Sequence, residues 1–234
     1  MSKATQPVGP PVDSTPARLP GRVTLAGRFG SVARLDPGRD AAGLSRVLRG
    51  HDEVWTYISS FGPCADERAF SAWLAEREGQ QDPYFYTVID SGGRALGLLA
   101  LMAIRPAMRV IEVGNIVYSP ALQRTPHATE TQYLLARYVF ETLGYRRYEW
   151  KCNSLNAPSR RAALRFGFSF EGILRQHMIA KGRSRDTAYF SMLDSEWPAR
   201  KANFEHWLDP QNFDAAGRQK VSLAALNGAK VAET

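Results

Sequence analysis

Between an apolar run, RVIEVGNIVY at 109–118, and an amphipathic one, YLLARYVFETLG at 133–144, lies the polar stretch SPALQRTPHATET, residues 119–131. It brings Gln123, Arg124, Thr125, Pro126 and Thr129 together at the mouth of a helix. With Thr125 as N-cap, Pro126 falls at the first helical position, where its fixed φ and missing N–H are tolerated. The amides of His127, Ala128 and Thr129 then leave the helix start without intrahelical acceptors. An anion is favoured there by those donors and by the helix dipole, the dipole contributing roughly 0.3–2 kcal/mol per charge. The Arg124 guanidinium and the Thr125 and Thr129 hydroxyls can add contacts. Taken by itself, the segment is accounted for by a helix start satisfied by water, as most helix starts are.

Two other groups invite chemistry. Glu112 sits in the middle of the apolar run before the loop. Strict alternation puts Glu112, Gly114, Ile116 and Tyr118 on one face and Val113, Asn115 and Val117 on the other. A carboxylate on so central a strand is costly unless it meets water or a partner, and Arg109 and Arg147 are the candidate partners. Further on, Asn156 opens the segment NAPSRRAALRFG as an N-cap, with Ser159 in the first turn and Gly167 as the stop.

The elements that must position these groups alternate along the chain. RVTLA (22–26) and SVARL (31–35) read as short strands, AAGLSRVLRG as a helix ending at Gly50, and DEVWTYIS as a second short helix. ADERAFSAWLAEREG is helical, with Phe70, Trp73 and Leu74 on one face. YFYTVID (84–90), RALGLLALMAI and RVIEVGNIVY are three strands that meander. A largely buried helix over 127–143 and the strand YRRYEWKC complete a strand–helix–strand crossover over 109–151. The helix of Asn156 follows, then a long hairpin over 168–193 turning at Lys181-Gly182-Arg183, and a last helix near SEWPARKANFEHWL. The fold class is α+β with a mixed, mostly antiparallel central sheet flanked by helices.

Bulk properties bound the function. The 234 residues suit one domain over 21–207, with a Pro-rich N-terminal tail over 1–20 and a C-terminal tail over 208–234. The formal charge of +7 favours anionic partners or simply a soluble surface. Cys64 and Cys152 are the only cysteines and make no disulfide framework. No Cys or His pair has zinc spacing, so no metal site is expected. No apolar run approaches the ~20 residues of a membrane span, and no export signal is visible, so a reducing cytoplasm is the expected compartment.

Several segments together resemble the GCN5-related N-acetyltransferase superfamily. QRTPHA, Gln123 to Ala128, is similar to that family's acyl-CoA loop, Q/R-x-x-G-x-G/A, at its first and last positions, with Pro126 where the family has its first glycine. NAPSRRAALRFGFSFEGILR resembles the N-x-x-S … GF-x-x-EG-x-x-R segment of the branch that acetylates ribosomal-protein N-termini. ATE at 128–130 and IEVGNIV at 111–117 fit that branch too, and the resemblance covers about 22–200. It implies acetyl transfer from acetyl-CoA to an amine, a protein N-terminus or a small molecule, by direct attack in a ternary complex. The strand before the loop splays from its neighbour in that family, so Ile116, Val117 and Tyr118 would pair with the pantetheine arm. The pyrophosphate would fall to Gln123, Arg124, Thr125, His127, Ala128 and Thr129.

Glu112 would be the general base, acting through water, because an alkylammonium must lose a proton before it attacks. Asn156 and Ser159 would face the pantetheine and thioester, with Ser159 a donor to the leaving thiolate. Arg160 and Arg161 are either a solvated helix face or aids to the cofactor phosphates. Trp55, Tyr57 and Phe61 either line the acceptor pocket or belong to the core. Pro126 removes one amide donor, and this motivates a second reading, a non-catalytic acyl-CoA-binding or ribosome-associated module. A plain nucleic-acid binder ranks third, since the basic residues lack interleaved aromatics. The 168–193 hairpin offers an edge for a homodimer.

Overall fold

The computed structural model describes residues 6–228; those parts of the expected tails that fall on 1–5 and 229–234 lie outside the described residues. Eight strands form one sheet: β1 Thr24–Ala26, β2 Gly30–Arg34, β3 Tyr84–Asp90, β4 Ala95–Arg105, β5 Val110–Tyr118, β6 Arg147–Asn153, β7 Ser169–Ala180 and β8 Arg183–Leu193. Their order across the sheet is β1-β2-β3-β4-β5-β6-β8-β7. Only β5 and β6 run parallel. A parallel pair needs a crossover, and the helix of the polar loop supplies it. That mixed, mostly antiparallel sheet flanked by helices is the expected architecture.

Helices cover the sheet unequally. α1 (Pro37–Leu48) and α2 (Glu67–Glu78) pack on one face, where Leu44, Phe70 and Leu74 meet Phe85 and Leu98. α3 (Pro126–Arg137), α4 (Ala157–Arg165) and α5 (Trp197–Leu208) cover the other, over Tyr86, Leu99, Ile111, Val113 and Phe190. β3 lies in the middle, and six of its seven residues are buried. β7 is the outer edge, and Phe170, Ile173, Leu174 and Met178 on it are exposed. The first face is therefore roofed over β3 and β4 and left more open toward β6 and β8.

Side-chain clamps hold distant segments to the sheet. Arg34, buried in β2, donates to the carbonyls of Phe85, Glu78 and Gln80 and lies 3.7 Å from the centre of the Tyr84 ring. Those carbonyls include the C-terminus of α2, where a cation complements the dipole. Glu130 of α3 accepts from the amides of Arg28 and Phe29 at 2.7 and 2.9 Å, locking the β1–β2 turn. Gly27 leaves room for that carboxylate, which would stand 2.3 Å from an added Cβ. Glu130→Ala strands two backbone donors and should cost about 2–4 kcal/mol in urea unfolding. A loss under about 0.5 kcal/mol would show that the clamp contributes little.

Three details depart from the sequence reading. DEVWTYIS contains only a 3₁₀ turn, Asp52–Trp55, because Trp55 is its one buried residue. The helix expected over 127–143 changes winding: α3 passes into a π-helical turn, Tyr138–Leu143, that ends at Gly144 with φ +77. The C-terminal segment up to 228 is docked rather than loose. Leu223 of α6 (Leu223–Leu226) is fully buried, Asn212 is buried, and Asn227 Nδ2 donates to the Arg165 carbonyl at 2.9 Å. Leu223 and Leu226 stand at helical spacing, but only the surface of α4 and α5 reveals where so short a helix docks. In the N-terminal segment, residues 6–16 lack regular structure, and Ala17 and Arg18 donate to the Pro106 and Leu143 carbonyls.

Candidate active site

β5 parts from β6 halfway along. The two pair from Val110↔Arg147 to Val113↔Trp150 and no further. On the other side, β4 meets β5 at Ala100↔Gly114 and next at Leu98↔Val117, so Leu99 alone opposes both Asn115 and Ile116. Asn115, with φ +49, is the extra residue. Asparagine tolerates this left-handed conformation better than most side chains. A bulge bends its strand and strengthens the local twist, which opens a cleft between the ends of β5 and β6. It also overturns the expected alternation. Val117 joins the α1–α2 side with Leu98, whereas Ile116 and Tyr118 pack on the α3 side with Val113. One inserted residue shifts every later side chain to the opposite face.

The mouth of α3 stands just beyond the end of β5. Thr125 is the N-cap: its Oγ1 accepts from Ala128 N at 3.1 Å and donates to the Leu122 carbonyl at 2.6 Å. Pro126 occupies the first turn. Gln123 Nε2 donates to the Tyr118 carbonyl at 2.8 Å, tying the loop to the strand. Arg124 has φ +60, and among the described residues neither its amide nor that of His127 finds a protein acceptor. Backbone amides are thus presented at the mouth, but several side chains are committed elsewhere. His127 is buried against Gly30, and burial lowers its pKa. The Thr129 hydroxyl is buried and accepts from Arg165 Nη1 at 3.1 Å. Tyr118 Oη accepts from Gln132 Nε2 at 2.8 Å.

Glu112 lies on the α1–α2 side, 7% exposed. Its partner is Lys151, whose Nζ stands 2.9 Å from both Glu112 and Glu149. The two arginines expected to pair with it are engaged otherwise. Arg147 binds Glu149 and Glu171, and Arg109 binds Asp13 and the Gly144 carbonyl. Burial raises the Glu112 pKa above the usual carboxylate range, offset only in part by Lys151. Burial also works against Glu149, but hydrogen bonds from Arg147 and Lys151 hold its pKa low. Burial disfavours the Lys151 ammonium, while the two glutamates outweigh it and raise the pKa. The Tyr189 ring centre lies 4.9 Å from Nζ.

Asn156 and Ser159 sit at the start of α4, beside the end of β6. Asn156 Oδ1 accepts from Ser159 N at 3.1 Å, and Ser159 Oγ accepts from Trp150 Nε1 at 3.0 Å. Both therefore serve the helix start and the core contact, and the Ser159 O–H keeps a proton to give. The aromatic candidates divide: Trp55 is buried against Phe61 and Phe70, whereas Tyr57 is exposed and donates to the Leu155 carbonyl at 3.2 Å. The loop carrying them is tied across the cleft. Lys181 at the hairpin tip donates to the Trp55 and Gly62 carbonyls, and Arg185 donates to Ser59 Oγ.

Sequence reasoning missed Lys151, Glu149, Arg185 and the bulge. The first two were legible as charges at alternate positions of YEWKCN, one polar face of a strand otherwise buried. Among the described residues no group of acidic, His or Cys side chains could hold a metal ion, and no helix is long and apolar enough to cross a membrane.

A bulged strand parting from a parallel neighbour, with a helix mouth facing the gap, is the shared frame of one class of acyl-transfer proteins. The family model described as "Acetyltransferase (GNAT) domain" matches residues 33–169, more than half of the chain, and the chain belongs to that family. It is similar to a GCN5-related N-acetyltransferase from Brucella melitensis, with 46% identity, a TM-score of 0.89, and coverage of 92% of this chain and 99% of that one. A probable acetyltransferase of the GNAT family from Chromobacterium violaceum is 44% identical, with a TM-score of 0.77 over 85% of this chain and all of the other. An uncharacterized N-acetyltransferase, YoaA, of Bacillus subtilis is 25% identical over 142 residues, 61% of this chain and 73% of its own length. The family carries out acetyl transfer, for which acetyl-CoA is the general donor.

Proposed function

We propose that the protein transfers an acetyl group from acetyl-CoA to an amine by direct attack in a ternary complex. The observation that carries this reading is the stretch of β5 freed from β6 after Val113, next to the α3 mouth with its free amides. The residues present suit the donor. From Gly114 on, β5 offers the edge that β6 leaves unpaired to an amide-bearing pantetheine arm, and the amides of Arg124 and His127 offer hydrogen bonds to a pyrophosphate. Gln123 and Thr125 hold the loop in shape. Ala128 and Thr129 contribute the helix start and its packing rather than side-chain contacts, and Asn156 and Ser159 border the far side of the cleft. Acetyl-CoA supplies the activated acyl group. The protein orients the amine, receives its proton at Glu112 through water, offers a strand amide to the charge that develops on the carbonyl oxygen, and gives the Ser159 hydroxyl proton to the thiolate released as the C–N bond forms and the C–S bond breaks. The acceptor is a protein N-terminus or a small molecule, and the cytoplasm is the proposed compartment.

The test is calorimetric titration with acetyl-CoA, followed by an amine screen. Micromolar binding with turnover supports the reading, and no binding up to millimolar cofactor ends it. Pro126→Ala adds one N–H at the α3 mouth. One charge-assisted hydrogen bond more should tighten CoA binding about tenfold; unchanged affinity would mean that this position does not face the ligand. The Glu112–Lys151 pair favours one alternative, a non-catalytic acyl-CoA-binding or ribosome-associated module, in which the carboxylate is structural. Cofactor binding without turnover, with salt-dependent RNA binding, would select it.

A further inference from the structure

Every carboxylate on the floor of the cleft already has a cation. Glu112 has Lys151; Glu149 has Lys151, Arg105 and Arg147; Glu171 has Arg147. Arg185 projects from the same face of β8 as Tyr189 and Ser191, and it is only 9% exposed. Among the described residues no carboxylate forms an ion pair with it, although its charge reaches Glu112 and acts to lower that group's pKa. Nη1 donates to Ser59 Oγ at 3.0 Å, and Nε is buried with no acceptor at all. A guanidinium withdrawn from water and left with one hydroxyl is unfavourable unless an anion meets it. The position suits a ligand, because Ser59 belongs to the loop that Lys181 ties across the cleft.

We propose that Arg185 receives a carboxylate carried by the acceptor amine, so that acidic amines are the preferred acceptors. The proposal rests on the acetyltransferase reading above. Planar, forked donors match a carboxylate with two parallel bonds, which the free Nε can complete. The strand register sets the separation. Ser191 pairs with Glu149, which pairs with Glu112, and Arg185 lies six residues before Ser191. At about 3.3 Å per residue that is about 20 Å along the strand, part of it spanned by the two side chains. The matching acceptor carries its carboxylate on the side of the amine away from Glu112, at a distance set by the gap that the two side chains leave.

The test uses acceptor pairs that differ only in carboxylate against carboxamide. One arm compares C-terminally amidated tetrapeptides with Glu or Gln at the second position; the other compares 5-aminopentanoate with 5-aminopentanamide. The full-length protein should prefer the acid by at least about tenfold in kcat/KM in one arm, which also tells peptide from small molecule. Arg185→Gln should collapse that ratio toward one. A ratio at or below one in both arms overturns the assignment, and so does a ratio that survives Arg185→Gln. The wild-type comparison stands even if the variant does not fold. Titrating the same tetrapeptides into CoA-saturated protein reads the preference without turnover. Titration with acetyl-CoA by itself reports on the acetyltransferase reading, so the two failures are distinct.

Discussion

Glu112→Gln should lower kcat/KM for any accepted amine by about 10²–10⁴-fold while leaving acetyl-CoA affinity within about twofold. That range is the usual contribution of a positioned general base. Gln keeps the shape and an acceptor for the Lys151 ammonium, so the change removes proton-accepting ability and little packing. The pH profile gives the sharper reading. Burial raises the Glu112 pKa, so the acidic limb of kcat/KM should lie above the ordinary carboxylate range of about 4.3. Activity rises with pH through that limb as the carboxylate forms, and the limb should vanish in the Gln variant. Stability carries the opposite sign. A carboxyl whose folded pKa exceeds its unfolded one binds its proton more tightly when folded. Its contribution to stability therefore falls as pH rises from about 4.3 through the folded pKa, and Glu112→Gln should flatten that decline. A variant that keeps full activity would leave Glu112 a purely structural partner of Lys151.

Truncation after Leu208 should lower the melting temperature by about 8–15 °C. It uncovers the face that the fully buried Leu223 seals, and it removes Gln219, which accepts from Trp207 Nε1 at 2.7 Å. Losing one buried leucine and two or three buried hydrogen bonds comes to about 4 kcal/mol, and each kcal/mol shifts a chain of this size by about 2–4 °C. The damage should also reach the cofactor. Asn227 holds the Arg165 carbonyl, and Arg165 in turn donates to Thr129 in the first turn of α3. CoA affinity of the truncated chain should fall several-fold by calorimetry at a temperature where it remains folded. An unchanged melting temperature would mean that the segment is an accessory.

These two results bear on different parts of what the sequence could convey. The crossover, the N-cap at Thr125 and the hairpin turn at Gly182 were legible because each rests on local chemistry: alternation, a capping hydroxyl, a glycine in the left-handed region. Glu112 stood out because a carboxylate in an apolar run needs a reason. Its partner could not be read. Lys151 lies 39 residues away and meets it only through the parallel register of β5 and β6. Likewise, periodicity counts residues and cannot see a bulge, so Val117 was assigned to the wrong face. The docking of Leu223 and the burial of Arg185 depend on surfaces built by other elements, and neither leaves a trace in neighbouring residues.

Asn115 is one residue more than the ladder requires. Sheets normally confine unpaired backbone to their rims, as β7 does here. The bulge gives this sheet a further rim in its interior, between two strands that are paired at their other ends. A guest molecule carrying amides along an extended chain could complete the interrupted pairing as if it were a ninth strand. Binding energy would then come from main-chain hydrogen bonds that the fold itself withholds, which makes recognition there insensitive to most side-chain replacements. Deleting the one surplus residue should therefore do what few point substitutions could: let the two strands zip to their ends, give a better-formed sheet, and leave the guest no seam to enter.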